Sequence, residues 1–386
     1  MRHSRDSVST GYALLALCGY RANTVDLSHI EWPLLDAMAD QHRLRPFLYW
    51  RHSKGEIAAP PDITRLWHDA YRDNAMCILA QRRALLSAVA ALGSNGIGAV
   101  ALKGSALAWT VWPEPALREM RDIDVLVAQD DAPRAYGILL AAGWSGPALD
   151  NVQAARFAAH ETHFPPLTSP DGVICELHAR AWHGGALPGM EMPCANSAHL
   201  LAHARHEERL GTAVPGTQDM LVHLVVHAAC SHLFNVGPGA LVDIDLWCAR
   251  KAVDWPGFWA RAEREGFARA AALVFGLVER WRCEGFSARA QVPVQVDGAV
   301  LDQAELLLVQ DLDRRKDISA LASLSHARPQ VRLAQHPLDR AEAPVSAPRR
   351  AVQLGRRTLS IFSSLMRREA RRDARASAAV RKWLDG

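Results

Sequence analysis

The sequence lacks several patterns that would assign it to a familiar class. It contains no Cys-x-x-Cys pair, and its seven cysteines are scattered along the chain. A zinc ribbon and a disulfide framework are therefore excluded, and reduced thiols predict a cytoplasmic protein. No Gly-x4-Gly-Lys-Ser/Thr motif occurs, which also excludes a P-loop enzyme.

Long apolar runs are missing as well. No stretch of about eighteen consecutive apolar residues occurs, and we therefore expect no membrane span. The first apolar run, Tyr12–Cys18, is short and no small-residue cleavage site follows it, so we expect no signal peptide. With 386 residues, of which 49% are apolar, the chain can bury a large core in two or three sub-domains.

Positive charge is concentrated near the end of the sequence. The formal net charge is +3, but residues 349–386 carry eleven Lys or Arg against three acids. Arginine doublets alternate there with Leu354, Leu359, Ile361, Phe362 and Leu365, which predicts a basic amphipathic helix. Two interpretations stay open. The helix binds an anionic partner such as RNA, or it packs on the body and exposes its arginines to solvent.

Periodicity divides the rest of the chain. Helical spacing dominates residues 8–95, with one long helix over Leu66–Leu92 that ends at a Gly-Ser-Asn-Gly breaker. Short β-type runs then alternate with helical stretches, which is typical of a small α/β unit. The runs are Ile97–Leu102, Asp122–Val127 and Val173–His178, with a helix over Asp131–Ala142.

Helical spacing returns after Gly216. It predicts helices over Met220–Phe234, Gly239–Ala252, Phe267–Trp281 and Val300–Leu312, a linker over 284–299 and a loop over 326–348. We therefore predict an α+β fold in four parts. These are an N-terminal helical region (1–95), a small mixed-sheet core (96–215), a C-terminal helical bundle (216–345) and a basic amphipathic tail (346–386).

Chemistry is concentrated where the strands end. The first strand delivers Gly104 and Ser105 to the start of a helix, where backbone N–H groups and the helix dipole can hold a phosphate. Asp122 and Asp124 are two apart on the next strand, so both carboxylates face one side. Side-by-side carboxylates repel unless a cation lies between them, which indicates Mg²⁺.

A third acid supports the same interpretation. Glu176 lies in an otherwise apolar strand, where an ionised carboxylate needs a metal or a polar cleft as partner. His178 shares its face. On one later helix His223 and His227 are four residues apart and could bind zinc, but no third ligand is evident. We interpret this pair as a polar stripe that faces the cleft.

These residues resemble a known family. The segments Ala99–Trp109, Trp112-Pro113, Leu117-Arg118 and Arg121–Val127 are similar to the nucleotidyltransferase fold of the DNA polymerase β superfamily. More narrowly, they resemble the bacterial uncharacterised nucleotidyltransferases, whose pattern reads Leu-Lys-Gly, Tyr-Pro, Arg and Asp-x-Asp-hydrophobic-Leu. Toxin-like nucleotidyltransferases of abortive-infection systems have a similar Lys-Gly-Gly start.

The likeness extends over roughly residues 35–285. It includes His42–Pro46, Glu176–His178, Asp219–His227, Leu241–Asp243 and Asp254-Trp255. Two positions depart from the family pattern. Trp112 replaces the tyrosine, and Glu119-Met120-Arg121 replaces a more usual Pro-x-Gly, which adds a cation next to the acids.

The resemblance implies a nucleotidyltransferase core flanked by helical regions, and it implies roles for single residues. Asp122 and Asp124 would bind Mg²⁺ or Mn²⁺. Glu176 would bind one metal ion and position or deprotonate the acceptor hydroxyl. The nucleotide phosphates would contact Lys103, Gly104, Ser105 and Arg118, with a structural ion pair as the alternative for Arg118. His178, His223, His227 and Asp243 are candidate cleft-lining residues.

The implied reaction transfers a nucleoside monophosphate from an NTP to a hydroxyl on a peptide, protein, RNA or small molecule. A nucleotide-binding regulatory or toxin–antitoxin-type protein is one alternative. An RNA-binding protein that uses the basic tail is another. The intact acids at positions 122, 124 and 176 favour an enzyme.

Overall fold

The computed structural model describes residues 3–20, 26–182, 196–312 and 368–386. The helices in these ranges are α1 (His3–Leu17), α2 (Trp32–Gln41), α3 (Arg45–Ser53), α4 (Pro61–Gly93), α5 (Lys103–Thr110), α6 (Ala132–Ala141), α7 (Asn151–His160), α8 (Asn196–Ala202), α9 (Thr217–Val226), α10 (Gly239–Arg250), α11 (Trp255–Glu265), α12 (Ala268–Trp281), α13 (Phe286–Arg289), α14 (Gly298–Leu308) and α15 (Arg368–Asp385). The strands are β1 (Ala99–Ala101), β2 (Asp122–Val127), β3 (Leu167–Thr168), β4 (Ile174–His178), β5 (Arg205–Glu207) and β6 (Thr212–Val214).

The central sheet has four strands in the order β1-β2-β4-β3. β1 and β3 run antiparallel to their neighbours, whereas β2 and β4 are parallel, with Asp124 opposite Glu176. A separate hairpin is formed by β5 and β6. The predicted α+β class, with a small mixed sheet between helical regions, is therefore confirmed.

One continuous cluster of buried apolar side chains joins the helical regions to the sheet. It includes Trp67 of α4, Ile123 of β2 and Phe275 of α12. The C-terminal helix α15 packs on α14 and α12 and buries Ala376, Val380 and Leu384. The core is continuous across the predicted boundaries at 95 and 215. It therefore does not mark where one sub-domain ends and the next begins, and those boundaries stay predictions.

One described helix is long and apolar enough to cross a membrane by length and composition alone, so the expectation of no membrane span stays a prediction. Helix α4 has 33 residues, and its best window reaches a mean hydropathy of 1.4. The prediction counted only consecutive apolar residues, whereas this window also contains polar ones. Core helices pass the same test. In α4, Trp67, Leu85 and Leu92 are buried, and Gln81 donates to the Met120 carbonyl oxygen at 3.0 Å.

Several element predictions need correction. Helix α9 ends at Val226 and continues as a π-turn over His227–Ser231, rather than as a regular helix to Phe234. The expected linker 284–299 contains the short helix α13. Helix α7 was not predicted, although Asp150 and Gln153 form its capping box. The predicted loop 326–348 and the tail's apolar residues from Leu354 to Leu365 lie outside the described residues.

Candidate active site

Strand pairing brings the three predicted acids to one place. Asp122 and Asp124 lie two apart on β2, and the parallel register sets Asp124 directly opposite Glu176 on β4. Glu176 and His178 are also two apart, so their side chains share a face of the sheet. One ligand atom each from Asp124, Glu176 and His178 lies within 4.8 Å of the other two. Asp122 is outside that group of three, but the charges of Asp124 and Glu176 act on it, and these three acids make up the acid cluster.

Asp124 is held as a carboxylate by the ammonium of Lys103 and by a hydrogen bond from His178. Its Oδ1 lies 2.7 Å from Lys103 Nζ and 2.8 Å from His178 Nε2, and the residue is only 5% exposed. Burial alone would raise its pKa, but Lys103 and His178 outweigh burial and hold the pKa of Asp124 well below its usual range. The same contacts raise the pKa values of Lys103 and His178, again against burial.

Asp122 and Glu176 differ in how far neighbouring groups stabilise their negative charge. Burial and the charges of Asp124 and Glu176 raise the pKa of Asp122 to about 6, although Lys103 and Arg43 oppose this. Burial also raises the pKa of Glu176, but a hydrogen bond from His178 and the nearby His163 lower it overall. Asp122 is therefore the acid that most needs an additional cation.

The Lys103-Gly104-Ser105 segment begins α5 at the edge of this cluster. Lys103 has a positive φ of 45°, an uncommon conformation for a residue with a side chain. A Cβ on Gly104 would lie 2.4 Å from Arg118 Nη1 and 2.5 Å from Met120 Sδ, so a side chain there would have to displace both of these side chains. The glycine lets Arg118 pack against the start of α5.

Ser105 has a structural contact that the sequence did not indicate. Its Oγ accepts a hydrogen bond from the backbone N–H of Asp124 at 2.9 Å, and the residue is 2% exposed. It does not line the cleft, whereas Lys103 and Gly104 do. Ser105 thus fixes the strand position that carries Asp124, and its contact with phosphate stays a prediction.

Arg118 has a carboxylate partner. Its guanidinium donates from Nε and Nη2 to both oxygens of Asp243 on α10, at 2.9 and 2.7 Å. Trp112 Nε1 also donates to Asp243, at 2.8 Å. Burial lowers the pKa of the Arg118 guanidinium, but the charge of Asp243 and its hydrogen bonds outweigh burial, so the pKa is raised overall. This pair ties the sheet to the C-terminal bundle, and both residues line the cleft.

A cleft of about 570 Å³ opens over the acids. Its wall includes residues from the α2–α3 connection, from both acid-bearing strands, and from α10. Of the candidate residues, Asp122, Asp124, Glu176, His178, His227 and Asp243 line it together with Lys103, Gly104 and Arg118.

His223 does not line this cleft, which corrects the expectation of a polar stripe. It is 1% exposed and its ring lies between those of Trp182 and His227, at 6.0 and 5.9 Å. Burial lowers its pKa to about 3. The regular helix ends before His227, so the two histidines do not present one continuous stripe to the cleft.

Arg43 is a site residue that sequence reasoning missed. It lies in the connection between α2 and α3, with a positive φ of 57°, and its side chain lines the cleft. Burial and Arg121 lower its pKa to about 10, partly offset by Asp122. Within the described part of the chain, no carboxylate forms an ion pair with it. The signal was present in the His42–Pro46 segment of the resemblance, but that segment suggested no role.

His163 was also missed, because no spacing pattern marks it. It forms a β-bridge with His178, outside the regular strands. Its Nδ1 lies 2.9 Å from the Phe164 carbonyl oxygen, which can only accept, so Nδ1 carries the proton. Nε2 therefore holds the lone pair, 3.9 Å from Glu176 Oε2.

One comparison with known proteins identifies a family. A family model described as "Uncharacterised nucleotidyltransferase" matches residues 28–282, about two thirds of the chain. No curated protein and no solved structure matches the chain. The matched range includes the acids on β2 and β4, Lys103 and Arg43.

Proposed function

The chain belongs to the uncharacterised nucleotidyltransferase family and is a nucleotidyltransferase, and from this premise we propose a specific reaction. A nucleoside monophosphate is transferred from an NTP to a hydroxyl group of an acceptor, and pyrophosphate leaves. The observation that carries the proposal is the acid cluster, in which Asp122, Asp124 and Glu176 meet across the parallel β2–β4 pair at the wall of a cleft.

The donor set fits a hard divalent cation. Three carboxylates supply oxygen ligands, the kind that Mg²⁺ and Mn²⁺ prefer. The raised pKa of Asp122 supports the fit, because it indicates negative charge that the side chains present do not fully balance. Asp122, Asp124 and Glu176 would hold the ion. When bound, it would neutralise phosphate charge and favour ionisation of the acceptor hydroxyl.

The cations of the cleft are suited to the triphosphate. Arg43 faces the cleft without an ion-pair partner in the described residues, and a guanidinium binds phosphate through paired N–H groups. Lys103 neutralises Asp124. A divalent ion on the acids would take over that role, and the ammonium of Lys103 could then turn to a phosphate oxygen. Arg118 keeps Asp243 as its partner and supports the cleft wall.

We propose that the acceptor hydroxyl approaches Glu176, with His163 beside it in the cleft lining. Burial raises the pKa of Glu176, but the hydrogen bond from His178 outweighs burial, so Glu176 is ionised at neutral pH. A carboxylate there can orient the hydroxyl by accepting its hydrogen bond, and it can take up the proton as the new bond to phosphorus forms. We also propose a cytoplasmic location, because the scattered cysteines indicate reduced thiols.

Labelled nucleotides test the proposal directly. The protein is incubated with each of the four NTPs, labelled on the α-phosphate, and with Mg²⁺ or Mn²⁺. Cell extract, RNA and the protein itself serve as acceptors. We expect label on one acceptor class with release of an equal amount of pyrophosphate, and no label with EDTA or with Asp122→Asn. Binding of NTP without transfer to any acceptor would favour a nucleotide-binding regulatory protein instead.

A further inference from the structure

A second group of metal-ligating side chains lies outside the cleft. His199 is on α8, His203 directly follows that helix, and Asp219 is in the first turn of α9. One ligand atom from each of the three lies within 4.8 Å of the other two. None of these residues lines the cleft over the acids. The group is therefore separate from the proposed active site.

The hydrogen bonds of the two histidines fix their tautomers. His199 Nδ1 lies 3.0 Å from Asp219 Oδ1, and His203 Nδ1 lies 2.9 Å from the His199 carbonyl oxygen. A carboxylate and a carbonyl only accept, so both Nδ1 atoms carry protons. In each ring Nε2 is left with its lone pair. Metal-binding histidines are commonly held in this way, with one nitrogen donating to a carboxylate or backbone carbonyl.

The two rings are close enough to act together. They are four residues apart, about one helical turn, and their centroids lie 4.1 Å apart with an interplanar angle of 32°. A His-x3-His spacing is one of the spacings found in zinc sites. Both histidines are exposed, so a cation can reach them and their side chains can adjust. Zn–N bonds of about 2.0–2.1 Å require only such an adjustment.

Asp219 is fixed in place beneath the histidines. It is 3% exposed, and Arg261 Nη1 on α11 donates to its Oδ1 at 2.6 Å. The charge-assisted hydrogen bond from Arg261 holds the carboxylate where it orients His199. The positive charge of Arg261 opposes a second cation in direct contact with Oδ1. The two imidazoles are therefore the primary ligands, and Asp219 acts mainly through His199.

We propose that His199 and His203 form a Zn²⁺ site through their Nε2 atoms, with Asp219 as the orienting carboxylate. Imidazole nitrogen suits zinc, whereas it is a poor partner for Mg²⁺, so this site and the acid cluster select different metals. Water or another side chain completes the coordination. The bound ion would stiffen the end of α8 and its connection to β5.

The experiment measures zinc binding by the full chain in excess Mg²⁺, which occupies the acid cluster. Isothermal titration with Zn²⁺ gives stoichiometry and affinity, and the visible spectrum of the Co²⁺-loaded protein reports nitrogen ligation. We expect one zinc per chain. His199→Ala and His203→Ala should each weaken it by at least about tenfold, and Asp219→Asn by about 10–100-fold, the range for an orienting partner.

His206→Ala is the matched control, because His206 is exposed on neighbouring β5 and outside the group. It should bind zinc as the unchanged protein does. Circular dichroism checks that each variant is folded. The proposal is overturned if the unchanged protein takes up no zinc at micromolar concentration, or if His203→Ala binds it with the same affinity and Co²⁺ spectrum.

Discussion

The ammonium of Lys103 lies 2.7 Å from Oδ1 of Asp124, in an ion pair whose side chains are 18% and 7% exposed. Because of this ion pair, the two aspartates of β2 have different electrostatic environments. Asp124 is neutralised by a neighbour from α5, whereas Asp122 lies beside two further carboxylates with weaker compensation. The two residues should therefore respond differently to the same substitution.

Asp122→Asn and Asp124→Asn should both reduce nucleotidyl transfer to less than a tenth, because each removes a proposed metal ligand. Their effects on stability should differ. Asp124→Asn leaves the charge of Lys103 unpaired, which costs about 3–5 kcal/mol for a fully buried pair. We expect the lower end of that range, since the Lys103 side chain is 18% exposed. Asp122→Asn should leave stability unchanged or raised.

Urea denaturation without added metal measures the difference. Asp130→Asn is the control, because Asp130 is exposed and follows the same strand. Equal stability losses for the variants at 122 and 124 would contradict the asymmetry.

Magnesium affinity should depend on pH through Asp122. Its pKa is raised to about 6 in the folded protein. Between about pH 4 and 6 the carboxyl group of Asp122 is therefore protonated in the folded protein but ionised in the unfolded chain. Ionisation of Asp122 therefore lowers stability as pH rises from about 4 to 6. A proton on Asp122 competes with the metal, so affinity should fall below pH 6 and approach a loss of about tenfold for each further pH unit. Titration of Mg²⁺ between pH 5 and 8 checks this, and the same affinity at pH 5 and 7 would refute it.

Arg43→Ala should raise the KM for NTP by about 10–100-fold, the effect of losing one or two charge-assisted hydrogen bonds. Stability should change little, because Arg43 has no ion pair in the described residues. Arg43→Lys should restore only part of the affinity, since an ammonium cannot bind phosphate with two parallel N–H groups. Steady-state kinetics separates KM from kcat. Arg134→Ala, at an exposed arginine, is the control. A variant with unchanged KM would remove Arg43 from the phosphate site.

Ser105→Ala should lower the free energy of unfolding. The substitution leaves the buried N–H of Asp124 without its acceptor, which costs about 1–3 kcal/mol. Ser94→Ala, at an exposed serine, should change stability by less than about 0.5 kcal/mol. Urea denaturation measures the loss, and calorimetry with NTP below the melting temperature measures affinity. Lower affinity at unchanged stability would instead support the phosphate contact predicted from the sequence.

Removal of residues 368–386 should destabilise the protein while NTP turnover persists. Helix α15 buries apolar residues against α14. Arg269 holds it as well: Nε donates to the Trp383 carbonyl oxygen at 2.6 Å, and the guanidinium lies 4.0 Å from the centroid of the Trp383 ring. Arg371→Ala, at an exposed arginine of the same helix, should not change stability. Thermal denaturation and RNA binding at several salt concentrations check both variants. Unchanged stability with loss of a salt-sensitive RNA affinity would assign the helix to nucleic acid.

The sequence by itself determined the class of fold and the acid cluster. The alternation of short β-type runs with helical stretches predicted the mixed sheet. The spacing of Asp122 and Asp124 on a strand placed both carboxylates on one face, because side chains alternate with a period of two. Glu176 was identified because an acid in an apolar strand requires a partner. These features depend on local periodicity, which is written in consecutive residues.

Only the tertiary structure decided which charges meet. The ion pairs of Lys103 with Asp124 and of Arg118 with Asp243 join residues 21 and 125 positions apart, and no local pattern specifies such distances. The same holds for Arg43, which reaches the cleft from a different region of the chain, and for His163, which lies outside any regular strand. The core contact of Ser105 likewise exists only when α5 packs on β2. Non-local packing sets the burial and charge around each group, and these decide its pKa and its role.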